Sequence, residues 1–253
     1  MDAVVLDHVD KAYTTYGTDI VLTGETRPSR TRQGLRDLSL TIPAREITVI
    51  VGRSGCGKST LLKLLAGTET PDTGTIRIPE GWHSAMLSPD PYVITWTSVQ
   101  RNVAMACGVG KTPEERYERA SEFVRLVGLE DYADLTPAEL STGMKQRLGL
   151  ARVLAGQAEL LLMDEPFASL DFLTRAELQS QLLAIQEKLP RTIVLVTHQL
   201  EEALLLGRRI IVMHPDSTIC EFDLTDSPYP RDLDDPTLRR LKKAVTDQCR
   251  YTA

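Results

Sequence analysis

The sequence predicts an α/β fold built on a parallel sheet. Short apolar stretches at 47–51, 160–163 and 193–196 alternate with helical patterns along the 253-residue chain. The stretch 160–163 is continuously apolar, which is typical of a strand buried on both faces of a parallel sheet. A chain of this length can bury one large core, so we expect a single domain over residues 1–253.

Composition argues against several classes of protein. Hydrophobic residues make up 42% and charged residues 25% of the chain, as in an ordinary globular protein. The net charge of −6 argues against a broad nucleic-acid surface, which is normally basic. No apolar run approaches the ~20 residues that span a bilayer, and the first residues do not resemble a signal peptide. The four cysteines lack metal-site spacing, which fits reduced thiols in a cytosol.

The remaining elements can be predicted from turn and cap signals. We expect an edge strand at 3–9, a loop or long hairpin at 17–34, and strands at 38–42, 75–78, 85–87 and 210–213. Capping-box patterns at 112–115 and 136–139 precede two helical stretches, the second running to about residue 155. The sequence therefore predicts a helical subdomain at about 98–155. Further helices are expected at 174–189, 199–206 and about 236–248, the last of them amphipathic.

The motif most specific for a ligand lies at residues 52–60, where an apolar strand enters a glycine-rich turn and a helix opens at Lys58. Glycines let backbone N–H groups converge on anionic oxygens at a helix N-terminus. The Lys58 ammonium can reach the β- and γ-phosphates, and the Ser59 hydroxyl can hold Mg²⁺. The pattern predicts a nucleoside triphosphate site formed by Gly52, Arg53, Ser54, Gly55, Cys56, Gly57, Lys58, Ser59 and Thr60.

Two adjacent carboxylates, Asp164 and Glu165, end the apolar stretch 160–163. A strand that ends in Asp beside a phosphate loop is where P-loop proteins hold Mg²⁺. Glu165 would then face the γ-phosphate and act as the general base that polarises the attacking water. A solvated strand end is the alternative, and the phosphate loop upstream makes it the weaker interpretation.

Residues 140–144 read Leu-Ser-Thr-Gly-Met and open a helix. Here the chain resembles the ATP-binding cassette (ABC) family, whose signature runs Leu-Ser-Gly-Gly-Gln or, in one importer class, Leu-Ser-Gly-Gly-Met. Further motifs agree in order and spacing: the phosphate loop at 52–60, Asp-Glu-Pro at 164–166, Ser-Leu-Asp at 169–171 and Val-Thr-His at 196–198. The resemblance covers nearly the whole chain.

The resemblance implies a fold and several residue roles. The fold would be a P-loop NTPase cassette with a mixed sheet core, an N-terminal antiparallel β part and a helical subdomain. His198 would be the switch histidine that contacts the γ-phosphate, and Tyr13 would stack on adenine, with Tyr16 as a rival. The resemblance also brings Ser141, Gly143 and Asp171 to the nucleotide.

The resemblance is strongest to the ATPases of nitrate, sulfonate and taurine importers, on residues 164–175, 201–206 and 229–231. It implies an ATP- and Mg²⁺-dependent subunit, peripheral on the cytoplasmic side of a membrane, that pairs head to tail with a second ATPase subunit. The other partners would be an integral-membrane permease near residues 88–103 and, indirectly, a solute-binding protein. No nucleic acid is expected, and the sequence names no solute.

Three positions depart from the family pattern. Thr142 replaces a signature glycine, and Gln199 follows His198 where the family usually has an acid. Alignment also places Pro89 where a glutamine normally reaches Mg²⁺ and water, unless Ser88 or Asp90 substitutes or the alignment is shifted by a residue or two. The alternative to an active ATPase slowed by Pro89 is a degenerate cassette that mainly binds ATP in an asymmetric pair.

Overall fold

The computed structural model describes residues 3–15, 30–108 and 112–250. In these residues, an antiparallel sheet has the order β2 (Arg30–Pro43), β1 (Ala3–Thr15) and β4 (Thr73–Arg77). The prediction that the first strand lies at an edge is wrong, because β4 pairs with the side of β1 that β2 leaves open. The stretch 16–29, which includes Tyr16 and most of the predicted loop, lies outside the described residues.

A second sheet positions the candidate site. It contains six strands in the order β5 (Ser84–Leu87), β6 (Leu160–Asp164), β7 (Thr192–Val196), β3 (Ile47–Val51), β8 (Arg209–Met213) and β9 (Ile219–Asp223). All neighbours are parallel except β8 and β9. The predicted mixed sheet is thus confirmed, although sequence analysis missed β9.

Every residue of β3, β6 and β7 is buried, because the sheet is covered on both faces. Side chains alternate between two hydrophobic clusters, as the two-residue period of a strand requires. On β3, for example, Val49 belongs to one cluster and Ile50 to the other. The continuous apolar stretches in the sequence follow from this two-sided burial.

The helices are α1 (Lys58–Leu65), α2 (Val99–Ala106), α3 (Pro113–Leu126), α4 (Thr142–Ala155), α5 (Phe172–Lys188), α6 (Leu200–Leu206) and α7 (Pro236–Arg250). Helices α2, α3 and α4 pack on one another within the stretch predicted as a helical subdomain. No helix in the described ranges combines the length and hydrophobicity needed to cross a bilayer.

One helix begins later than the cap pattern predicts. The capping box of Thr136 and Glu139 covers only a short 3₁₀ turn, Pro137–Glu139. Leu140 is extended, and Ser141 then caps α4 by accepting a 3.3 Å hydrogen bond from the Met144 backbone N–H. The signature residues therefore lie at the N-terminus of a helix. The stretch from residue 136 to about 155, predicted as a single helix, contains a 3₁₀ turn and a separate α-helix.

Candidate nucleotide-binding site

The phosphate loop joins β3 to α1 and depends on glycine at two positions where the chain packs closely. A Cβ on Gly52 would lie 2.4 Å from the Met213 carbonyl oxygen. Gly57 caps α1 with φ of 104°, and a Cβ there would lie 2.3 Å from the Gly34 carbonyl oxygen. The helix opens at Lys58 as predicted, with its N–H groups pointing into the turn.

The Lys58 ammonium folds back over this loop. Its Nζ donates hydrogen bonds to the carbonyl oxygens of Gly52 at 2.8 Å and Arg53 at 3.0 Å. The cation therefore lies beside the mouth of the loop, where an anionic ligand would meet both the charge and the helix N-terminus.

A hydrogen bond connects this loop to the end of β6. The Ser59 hydroxyl donates to Asp164 Oδ2 at 2.8 Å. Asp164 is 7% exposed, and burial raises the pKa of its carboxyl, although the Ser59 hydrogen bond opposes that rise. A buried carboxylate beside a hydroxyl is an oxygen donor set that suits Mg²⁺, because this ion is usually held by one or two protein oxygens plus water and substrate phosphates.

Glu165 and His198 form a second pair beside the first. His198 Nδ1 lies 2.8 Å from Glu165 Oε2, and the histidine side chain is 60% exposed. Glu165 has a left-handed backbone, φ 50°, which is unusual outside glycine. The Glu165 N–H donates to the Val196 carbonyl oxygen at 2.9 Å, so the neighbouring strand holds this conformation.

A cavity of about 680 Å³ unites these groups. Its walls include most of the residues predicted from the phosphate-loop motif, together with Tyr13, Asp164, Glu165 and His198. Arg53 and the buried Cys56 do not line it. Tyr13 lines the cavity, and its hydroxyl oxygen is buried with no hydrogen-bond partner among the described atoms.

Four lining residues were missed by sequence analysis: Arg32, Gln33, Gly34 and Lys63. The first three lie in the stretch 17–34, for which the sequence predicts a loop or a long hairpin. They belong to β2, which pairs antiparallel with β1 and lies against the phosphate loop. Lys63 could have been found, because it lies one helical turn after Ser59 on α1.

Three predicted site residues lie elsewhere in this chain. Ser141 and Gly143 are at the start of α4, and a Cβ on Gly143 would lie 3.1 Å from the Ser169 carbonyl oxygen. Asp171 caps α5, where its carboxylate accepts from the Thr174 N–H at 3.1 Å. None of the three lines the cavity.

Comparison with known proteins decides the family. The family profile described as ABC transporter matches residues 35–168, which include the phosphate loop and the Asp164–Glu165 pair. This chain belongs to the ABC transporter family.

The relatives narrow the resemblance to importers. The taurine import ATP-binding protein TauB of Pseudomonas aeruginosa is 43% identical over 203 residues, which span 77% of this chain and 76% of that protein. The aliphatic sulfonates import ATP-binding protein SsuB 2 of Agrobacterium fabrum is 43% identical over 196 residues, or 75% of this chain and 74% of that protein.

A solved structure agrees with the fold. The dimeric ATP-binding cassette MJ0796, in a post-hydrolysis state bound to ADP and Pi, superposes with a TM-score of 0.75 at 27% identity. The match covers 87% of this chain and 98% of that one. The predicted cassette fold and the resemblance to taurine and sulfonate import subunits are therefore confirmed.

Pro89, which aligns with a glutamine in the family pattern, lies directly after β5. In the parallel register Leu87 is opposite Met163, so residues 88–90 follow the strand beside Asp164. The Ser88 hydroxyl donates to the Asp90 carbonyl oxygen at 2.9 Å. None of these residues lines the cavity, so no side chain from this turn of the cassette reaches it.

Gln100 cannot replace the family glutamine. Its side chain is buried in α2, and its Nε2 donates to the Tyr117 carbonyl oxygen and to Ser121 Oγ, each at 2.8 Å. Gln100 thus ties α2 to α3.

The departure at Gln199 keeps a hydrogen-bond acceptor. Arg175 donates to Gln199 Oε1 at 2.7 Å and to the Leu170 carbonyl oxygen at 2.9 Å. Thr197 donates to Glu202 Oε2 at 2.6 Å and accepts from the Gln199 N–H at 3.0 Å. Burial raises the pKa of Glu202. These bonds fix the chain on either side of His198 and connect it to the loop before α5.

We predict that Gly57→Ala lowers ATP affinity at least tenfold, because the new Cβ would meet the Gly34 carbonyl in addition to straining the backbone. Gly67→Ala is the matched control: Gly67 also has positive φ, 69°, but a Cβ there meets nothing within 4 Å. The control should lose roughly 1–2 kcal/mol of stability with unchanged ATP affinity. Titration with a fluorescent ATP analogue and thermal unfolding measure both. Equal losses of affinity would contradict this account of the loop.

Proposed function

We propose that this chain is the ATP-binding and ATP-hydrolysing subunit that powers an importer of a small solute, of the nitrate, sulfonate and taurine class. The observation that carries the proposal is the convergence of two pairs, Ser59 with Asp164 and Glu165 with His198, on one cavity beside the phosphate loop. The naming of both relatives as import ATP-binding proteins supports the importer class.

In the proposed reaction, the backbone N–H groups of the phosphate loop and the Lys58 ammonium hold the phosphates of ATP. Ser59 and Asp164 would hold Mg²⁺, which neutralises charge on the transferring phosphoryl group. The ring of Tyr13, which lines the cavity, would offer a stacking surface for adenine.

Glu165 is proposed to accept the proton of the attacking water, with His198 as its orienting partner. The 2.8 Å contact holds the carboxylate, while the exposed side of the imidazole faces the cavity. The strained backbone of Glu165 supports this assignment, since such strain concentrates at functional sites.

The signature residues are proposed to serve a second subunit. Ser141 and Gly143 open a helix that does not line this chain's own cavity, yet a helix N-terminus with small residues suits contact with an anion. In a head-to-tail pair they, with Asp171 nearby, would close the partner's nucleotide site. The dimeric state named for MJ0796 supports such a pair.

The membrane partner is proposed to be a permease that meets the cassette near residues 88–103, on the cytoplasmic side of the membrane. Two large aromatic side chains in this stretch, Tyr92 and Trp96, are 91% and 82% exposed. Met105, just beyond it, is 57% exposed. Several large, exposed apolar side chains within one short segment favour contact with another protein. A solute-binding protein would act through the permease, and nothing favours nucleic acid as a partner.

The binding-only alternative is not favoured. That alternative rests on Pro89 and Thr142. Against it, the groups proposed to act in hydrolysis, Lys58, Glu165 and His198, line one cavity with the proposed metal ligand Asp164. We propose instead an active ATPase whose turnover is slowed at Pro89, because proline supplies neither a side-chain ligand nor an N–H.

We predict that Glu165→Gln keeps ATP binding but lowers turnover roughly 10²–10⁴-fold, the usual contribution of a general base. The variant should also accumulate as an ATP-bound dimer, seen by size-exclusion chromatography. Glu80→Gln, an exposed residue outside the cavity, is the matched control and should turn over ATP normally. Turnover of Glu165→Gln within a few-fold of the wild type would remove Glu165 from the base role.

We predict that Pro89→Gln raises ATP turnover of the subunit assembled with its permease, while ATP affinity changes little. The introduced amide could reach the metal and water beside Asp164, which a proline cannot. Pro89→Ala is the control, since it relaxes the turn without adding an amide. An equal gain from both variants would assign the effect to loop stiffness, and flat or lower turnover of Pro89→Gln would show that the turn is not defective.

A further inference from the structure

A second cavity of about 440 Å³ lies at the amino ends of the central parallel strands, opposite the phosphate loop. Glu159 directly precedes β6, Arg191 directly precedes β7, and Arg45 lies in the turn before β3. The nucleotide cavity is at the carboxyl ends of these same strands, roughly 15 Å away for five-residue strands. The two cavities share no lining residue.

This second cavity, hereafter the basic cavity, is lined by four cations: Arg45, Arg119, Lys188 and Arg191. None of them forms an ion pair with a carboxylate within the described ranges. The acidic residue in the lining, Glu159, already accepts a 2.9 Å hydrogen bond from the His83 N–H. In a chain of net charge −6, four unpaired cations around one cavity are a marked concentration of positive charge.

Two of the guanidinium groups are partly buried without protein acceptors. Arg119 Nε and Arg191 Nη1 are shielded from solvent and make no hydrogen bond to any atom that the structure describes. The Arg119 guanidinium stands over the Phe123 ring at 5.5 Å, which fixes its position. Burial and the neighbouring charge of Arg119 lower the pKa of Arg191, although attraction to the Glu159 carboxylate opposes that lowering. Shielded, mutually repelling cations destabilise the fold unless an anion supplies the missing acceptors.

We propose that the basic cavity binds a small oxyanion carrying two or more negative charges, at a site separate from the nucleotide. The guanidinium fork matches the geometry of carboxylate and phosphate oxygens. Four cations against one engaged carboxylate call for more than one negative charge. A volume of about 440 Å³ is in the range of small-molecule sites, which favours a metabolite-sized anion over a peptide.

Trp82 provides a local reporter, because its indole lines the basic cavity. The sequence holds two tryptophans, so Trp96→Phe leaves Trp82 as the sole one. The Trp96→Phe variant is titrated with pyrophosphate and, in a separate experiment, with citrate. Both titrations are done at constant ionic strength and with saturating ADP, which occupies the phosphate loop. We expect a saturable change in Trp82 emission, and the tighter of the two ligands assigns the anion to the phosphate or the carboxylate class.

Charge-neutral variants locate the site. In the same background, Arg119→Gln and Arg191→Gln should each weaken binding roughly 10- to 100-fold, the loss expected for one charge-assisted hydrogen-bonding group. Arg125→Gln removes the same charge from α3 at an exposed position outside the cavity, and should change the affinity less than about twofold. If Arg191→Gln fails to fold by circular dichroism, Arg191→Lys keeps the charge but loses the fork and should still weaken binding.

Two results would overturn the proposal. One is the absence of saturation by either anion up to about 10 mM. The other is an Arg125→Gln effect as large as that of Arg119→Gln, which would reduce the signal to general electrostatics.

Discussion

The hydrogen bond from Ser59 to Asp164 is the contact on which the geometry of the site depends. Ser59 belongs to the helix that follows β3, whereas Asp164 ends β6, and β7 lies between these two strands. The hydrogen bond therefore connects the carboxyl ends of two parallel strands that are separated by a third. Parallel register then delivers Glu165 and His198 to the same edge, since Asp164 pairs with Val196. Any shift of register would separate all four groups.

Local structure at this edge carries costs that the surrounding fold must offset. Glu165 is held in a left-handed conformation by a hydrogen bond to β7, and burial raises the pKa of Asp164. Both features lower the stability of the protein when its ligands are absent. Both also suit a site that binds a cation and an anion together. Hydrogen bonds from Arg175 to the Gln199 side chain and from the Gln199 N–H to Thr197 hold the chain next to His198.

The sequence alone predicts those parts of the fold and of the site that depend on neighbouring residues in the chain. The phosphate loop, the acid pair after β6 and the buried parallel strands each have a short pattern with a physical cause. It could not place β2 against the phosphate loop, because that position depends on the register between β1 and β2 and not on a local pattern. Sequence reasoning therefore does not find Arg32, and it wrongly predicts β1 at the edge of its sheet. The capping box at Thr136 predicts the start of a long helix, but such a box does not reveal that Leu140 is extended.

The most direct test of this account is a double-mutant cycle on MgATP affinity with Ser59→Ala and Asp164→Asn. If both side chains hold one metal ion beside the phosphate loop, each single substitution lowers the affinity for MgATP. The double variant should then bind MgATP only slightly more weakly than the single variant that has the lower affinity. The coupling should be about 1 kcal/mol or more with Mg²⁺ and should fall sharply when ATP is titrated in EDTA. Effects that add within roughly 0.3–0.5 kcal/mol in the presence of Mg²⁺ would contradict it.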